Sequence, residues 1–107
     1  MRQVIDGKVY DEDTATRIGG ADNIGTGVAS WSDFHAWSAA LYRTPRGRYF
    51  LAGEGGAMSV FSWPSGDGRT GGRAIIPMDK EQALEWAERN LDSGLVEDEF
   101  SEIIEEG

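Results

Sequence analysis

Apolar positions alternate with polar ones through the first three quarters of the chain and switch to a helical period in the last quarter. In Val4-Ile5-Asp6-Gly7-Lys8-Val9-Tyr10, two β-forming pairs flank Asp-Gly. That dipeptide suits a type I′ turn, whose two central residues both need positive φ, and it predicts a tight hairpin. Asp13 or Thr14 is placed to cap a short helical turn ending at Gly19-Gly20, with residues 19–30 read as a polar, Gly-rich loop.

Phe34 to Arg43 predicts a long strand with Trp37, Ala39 and Leu41 on one face and Phe34, Ala36, Ala40 and Tyr42 on the other. Thr44-Pro45-Arg46-Gly47 reads as a turn, since Pro presets φ at its second position and Gly suits its fourth. Arg48 to Ala52 returns as the paired strand, broken at Gly53-Glu54-Gly55-Gly56. Met58 to Trp63 predicts a third strand ended by Pro64, then a Gly-rich loop over 64–72 and a short last strand at Arg73 to Ile76.

The period then changes. Asp79 with Gln82 three residues later forms a capping-box pattern, and Met78 and Ala83 occupy the positions of a hydrophobic staple. Ala83, Leu84, Ala87 and Leu91 make a helical stripe flanked by Trp86, and Gly94 fits a left-handed stop. Val96, Phe100, Ile103 and Ile104 predict a second helix. Strands followed by helices specify an α+β fold: a small antiparallel sheet of four to five strands, two C-terminal helices on one face. With 107 residues the chain fits one domain, β-rich over 1–78 and helical over 79–107.

Charge sharpens this picture. The net charge is −9, and all of it lies in residues 79–107, where eleven acids face only Lys80 and Arg89; residues 1–78 are balanced. A field of that sign repels nucleic acid and attracts basic surfaces. There are no cysteines, which removes disulfides and thiolate metal sites and favours a reducing cytoplasm. No apolar run approaches the ~20 residues that span a bilayer, and Met1 to Asp6 lacks the apolar stretch of a signal peptide.

Motifs for catalysis are weak. His35 is the single histidine and has no second His or any Cys to share a metal with. Asp11-Glu12-Asp13 begins like a calcium loop but has Ala15 and Thr16 where a ligand and Gly belong. Gly53-Glu54-Gly55-Gly56 and Gly25-Thr26-Gly27 lack the Lys-Ser or Lys-Thr and helix of a phosphate loop. No enzyme, cofactor, metal or small-molecule substrate is therefore expected. The features that remain are those of a binding protein. Four tryptophans include Trp63, next to Pro64 and a polar loop, as an interface anchor. Arg43, Arg46 and Arg48 lie between Tyr42 and Tyr49, a pattern able to grip single strands; the acidic balance favours a polar rim of a protein interface instead. Glu85, Glu88, Glu97, Asp98, Glu99 and Glu102 form an acidic surface resembling a phosphate backbone.

Three blocks carry a resemblance. Ile5-Asp6-Gly7-Lys8-Val9-Tyr10 with Thr14-Ala15-Thr16 is the first. Leu41-Tyr42-Arg43-Thr44 through Gly47, Tyr49-Phe50-Leu51 and Gly53 to Met58 is the second. Ile75-Ile76-Pro77-Met78 with Ala83, Trp86-Ala87-Glu88 and the acidic end is the third. Together they resemble a family of short acidic proteins of phages and other bacterial mobile elements. The resemblance carries over no catalytic residue. It implies an inhibitor of host defence, of anti-CRISPR or antirestriction type, acting in the host cytoplasm on a CRISPR effector or similar nuclease. An adaptor for another protein of the mobile element is the alternative; a small enzyme using carboxylates such as Asp33 and Glu54 is a second.

Overall fold

The computed structural model describes residues 2–23, 36–55, 63–65, 68–70 and 72–104, the side chains of 63–65 and 68–70 excepted. Strands β1 (Arg2–Ile5) and β2 (Lys8–Asp11) form the N-terminal hairpin, with Val4 opposite Val9. Its turn residues Asp6 and Gly7 have φ of 52° and 75°, as a type I′ turn requires.

The main sheet contains β3 (Thr16–Asp22), β4 (Trp37–Arg43), β5 (Tyr49–Gly55) and β8 (Gly72–Met78), antiparallel throughout and in that order. Between β5 and β8, β6 (Trp63–Ser65) and β7 (Gly68–Thr70) pair as a small separate hairpin. Helices α1 (Lys80–Asn90) and α2 (Ser93–Phe100) follow. The α+β fold, with its four-stranded antiparallel sheet and two C-terminal helices, is as the hydrophobic pattern predicts.

Strand alternation sorts the core into two layers. Leu41, Tyr49 and Leu51 point to the helices and pack with Ala83, Ala87, Val96 and Phe100; Ile18, Ile76, Met78, Leu84, Trp86 and Leu91 surround them. Phe50, Ala52 and Ile75 point the other way and meet Tyr10 of the hairpin. There the Tyr10 ring stands edge-on to Phe50, and Tyr42 stacks on the same ring at 5.2 Å. The sheet is thus covered by helices on one side and partly by the hairpin on the other.

Several boundaries differ from the sequence reading. One α-turn is present, but it lies at 11–15 and does not run on to Gly20. Asp11 organises a turn by accepting from Asp13 N and, through its carbonyl, from Ala15 N, and β3 then runs through Gly19 and Gly20. Pairing with β4 satisfies this backbone better than one isolated helical turn would. A Cβ on Gly19 would lie 3.0 Å from Leu91 and 3.2 Å from Leu95, so the glycine admits the corner between the helices onto the sheet. Gly53 and Gly55 do not break β5, because β4 and β8 pair with it on both sides. Pro64 lies inside β6 and Pro77 inside β8, both in strands with an open edge where a missing N–H is tolerated. Residues 68–70, read as loop, form β7.

Gly94 is not the stop of α1. The helix closes at Leu91, extended, whose N–H donates to Ala87 O at 2.8 Å; Gly94 lies in the first turn of α2 and donates to the Asp92 side chain. The second helix ends at Phe100, leaving Ile103 and Ile104 in an exposed turn rather than on its apolar stripe. Residues 24–35 and 56–62, which include His35 and all but Trp63 of the expected strand Met58 to Trp63, lie outside the described residues.

Candidate functional site

The acidic surface is built by α1 and α2. Asp79 accepts from Gln82 N at 2.7 Å, and the Gln82 side chain accepts from Asp79 N at 3.0 Å, so the capping box fixes where α1 begins. From that start Ala83 and Ala87 face the sheet, fully buried. Glu81, Glu85 and Glu88, at i, i+4 and i+7, share the opposite face and are exposed. On α2, Val96 and Phe100 are buried while Glu97 and Asp98 are exposed. Lys80 Nζ lies 3.2 Å from Glu102, just past the end of α2. The start of α1 therefore meets the end of α2, the helices run back along each other, and their acidic outer faces adjoin.

Both bases of this region are engaged within it, Lys80 with Glu102 and Arg89 with Glu85 at 2.8 Å. These pairs are solvent-exposed and contribute little stability. Among the described residues Glu81, Glu88, Glu97 and Asp98 have no cation partner. Asp79 and Asp92 also lack a cation partner among the described residues, but each caps a helix by accepting from backbone N–H.

Glu99 stands apart from that surface. It lies three residues after Val96, which turns it toward the core side of α2. Its side chain is only 10% exposed, accepts a hydrogen bond from Tyr49 Oη at 2.5 Å and pairs with the Arg43 guanidinium. Hydrogen bonding to Glu99 raises the Arg43 pKa. Burial, reinforced by the Glu99 carboxylate, pushes the Tyr49 phenol up to about 12. This junction clips α2 to β4 and β5. Glu99 and Arg43, predicted to face a partner, are thus turned toward each other; the Val96–Glu99–Phe100 spacing is the sequence signal that marks Glu99.

Arg46 and Arg48 are exposed at the β4–β5 turn, so the expected cluster of three arginines is split. The side chain of Trp63 lies outside the described residues. Two other tryptophans meet beside the acidic face: Trp37 and Trp86, 6.5 Å apart between ring centres, border an apolar groove of about 570 Å³ floored by Leu51, Ile76 and Met78. Glu85 and Arg89 edge it. Their proximity follows from how α1 crosses the sheet.

On the opposite side of the sheet a polar hollow of about 370 Å³ is bordered by Arg17, Ser38, Glu54 and Arg73. Glu54 lies 3.6 Å from Arg73, and Asp33, the carboxylate suggested as its partner, is outside the described residues. Among the described residues no three His, Cys, Asp or Glu side chains converge as metal ligands, and no helix is long and apolar enough to cross a membrane. Comparison with family models, with curated proteins and with solved structures gave no match.

Proposed function

We propose that this protein is a non-enzymatic inhibitor that docks its acidic helical face on a basic, nucleic-acid-binding surface of a protein partner and blocks that surface. The observation that carries this reading is the adjoining of the outer faces of α1 and α2, with Glu81, Glu88, Glu97 and Asp98 unneutralised among the described residues. Carboxylates spread along a helical surface match the Lys and Arg positions that otherwise hold phosphates. The Trp37–Trp86 groove beside them supports a protein partner, because aromatic side chains flanked by charge are typical binding anchors. The resemblance to mobile-element proteins favours a CRISPR effector or a similar host nuclease as the partner, in the bacterial cytoplasm.

The test is recovery of the tagged chain with assembled effector complexes at low and high salt, with nucleic acid as competitor. Reversing Glu81, Glu88, Glu97 and Asp98 to Lys should slow association and flatten the salt dependence, since exposed charges act mainly on the encounter rate. Unchanged affinity and salt slope in that variant would rule out the acidic face as the binding surface. Capture of a protein of the mobile element in place of a nuclease would favour the adaptor function.

A further inference from the structure

The described cations are mostly neutralised. Arg2, Arg43, Arg73, Lys80 and Arg89 each pair with an acid. Of the other four with described side chains, Arg17 borders the hollow that also holds Glu12, Asp22 and Glu54, whereas Lys8, Arg46 and Arg48 make neither an ion pair nor a hydrogen bond among the described residues. These three border another hollow, of about 450 Å³, between the β1–β2 hairpin and the β4–β5 turn. No acid lines it. In a chain of net charge −9, three neighbouring cations left without a carboxylate are a local reversal of sign.

The hollow also holds neutral groups suited to an anion. Thr14 and Thr44 line it. Thr44 is buried at 8% exposure, and its Oγ1 accepts from Arg48 N at 3.0 Å, so its own O–H remains to donate. Val9 and Pro45 add an apolar wall. The two turns that carry these groups are fixed independently, one by the positive φ of Asp6 and Gly7, the other by Gly47 N donating to Thr44 O at 2.9 Å. The cations are therefore held around the cavity by ordered backbone.

We propose that this hollow is a binding site for a small organic phosphate. Lys8, Arg46 and Arg48 would neutralise the phosphoryl oxygens, Thr44 would donate a hydrogen bond, and Val9 with Pro45 would contact the organic part. The volume falls within the ~300–1,000 Å³ of small-molecule sites. A nucleic-acid strand presents the same phosphoryl chemistry, but the field of the whole molecule repels a long polyanion far more than a small one. This inference stands on the cations of the two turns and is independent of the acidic helical face.

The experiment follows backbone amide resonances of the isotope-labelled full chain during titration with pyrophosphate, adenosine diphosphate and a single-stranded oligonucleotide at constant ionic strength. Saturable shifts confined to residues 7–9, 14 and 44–48, at lower concentration for the diphosphates than for the oligonucleotide, are expected. Lys8→Gln, Arg46→Gln and Arg48→Gln alter exposed side chains; each should weaken binding by about threefold to tenfold, and the triple variant should abolish it with its spectrum otherwise native. Shifts scattered over the surface, no saturation, or a triple variant that binds as before would overturn the site. Tighter saturation of the same amides by the oligonucleotide would overturn the small-ligand assignment and identify a strand-binding site.

Discussion

Glu99 shows how much one position on a helix turn decides. Its neighbours Glu97 and Asp98 are exposed, whereas Glu99 reaches under α2 to Arg43 and Tyr49. A carboxylate so placed needs both partners, because leaving it buried and unpaired is costly. Tyr49→Phe keeps the ring packing on Phe100 but removes the donated hydrogen bond, and should lower stability by about 1 kcal/mol. The raised phenol pKa also sets a pH window. Stability from the protonated phenol is complete below the ordinary tyrosine value near 10 and is lost as pH rises toward about 12. Denaturation measured across that range should show the loss in the native chain and a smaller one in Tyr49→Phe. Spectrophotometric titration of the two proteins should differ by one tyrosine that ionises near 12.

At the scale of elements, local chemistry decides where helices and turns begin, and pairing decides how far strands extend. The reciprocal Asp79–Gln82 bonds satisfy two backbone donors at the start of α1. Asp79→Ala should cost about 1 kcal/mol, read as a lower denaturation midpoint with an unchanged denaturant slope. The β1–β2 turn is likewise local, since Asp-Gly supplies positive φ at both positions. The β3 segment behaves differently. Its Gly19-Gly20 pair carries a loop signal, yet it lies in a strand because β4 offers hydrogen bonds and because Gly19 leaves room for Leu91 and Leu95.

At the scale of the whole molecule, charge is sorted between opposite sides of one sheet. The acidic helices cover the face bearing Leu41, Tyr49 and Leu51, and the hairpin that carries Lys8 packs against the Phe50 side. The helices supply four of the seven buried residues of the first core layer, Ala83, Ala87, Val96 and Phe100. A chain ending at Met78 would expose Leu41 and Leu51 and lose the cover on that layer. It should fail to unfold cooperatively and should bind hydrophobic dyes, while the full chain shows a single transition.

The sequence by itself determined the fold class, the Asp6-Gly7 hairpin, the turn before Gly47, the start of α1 and the two faces of β4. Each rests on residues close in the chain, whose φ preferences, capping oxygens and alternation act without distant partners. It also determined that the net negative charge is confined to the last quarter. Only the tertiary structure decided that Gly19 and Gly20 are strand, that Glu99 and Arg43 meet, that Trp37 approaches Trp86, and that Lys8 joins Arg46 and Arg48. Those outcomes depend on which residues, far apart in sequence, become neighbours when helices and hairpin settle on opposite faces of the sheet, and burial in the assembled core selects them.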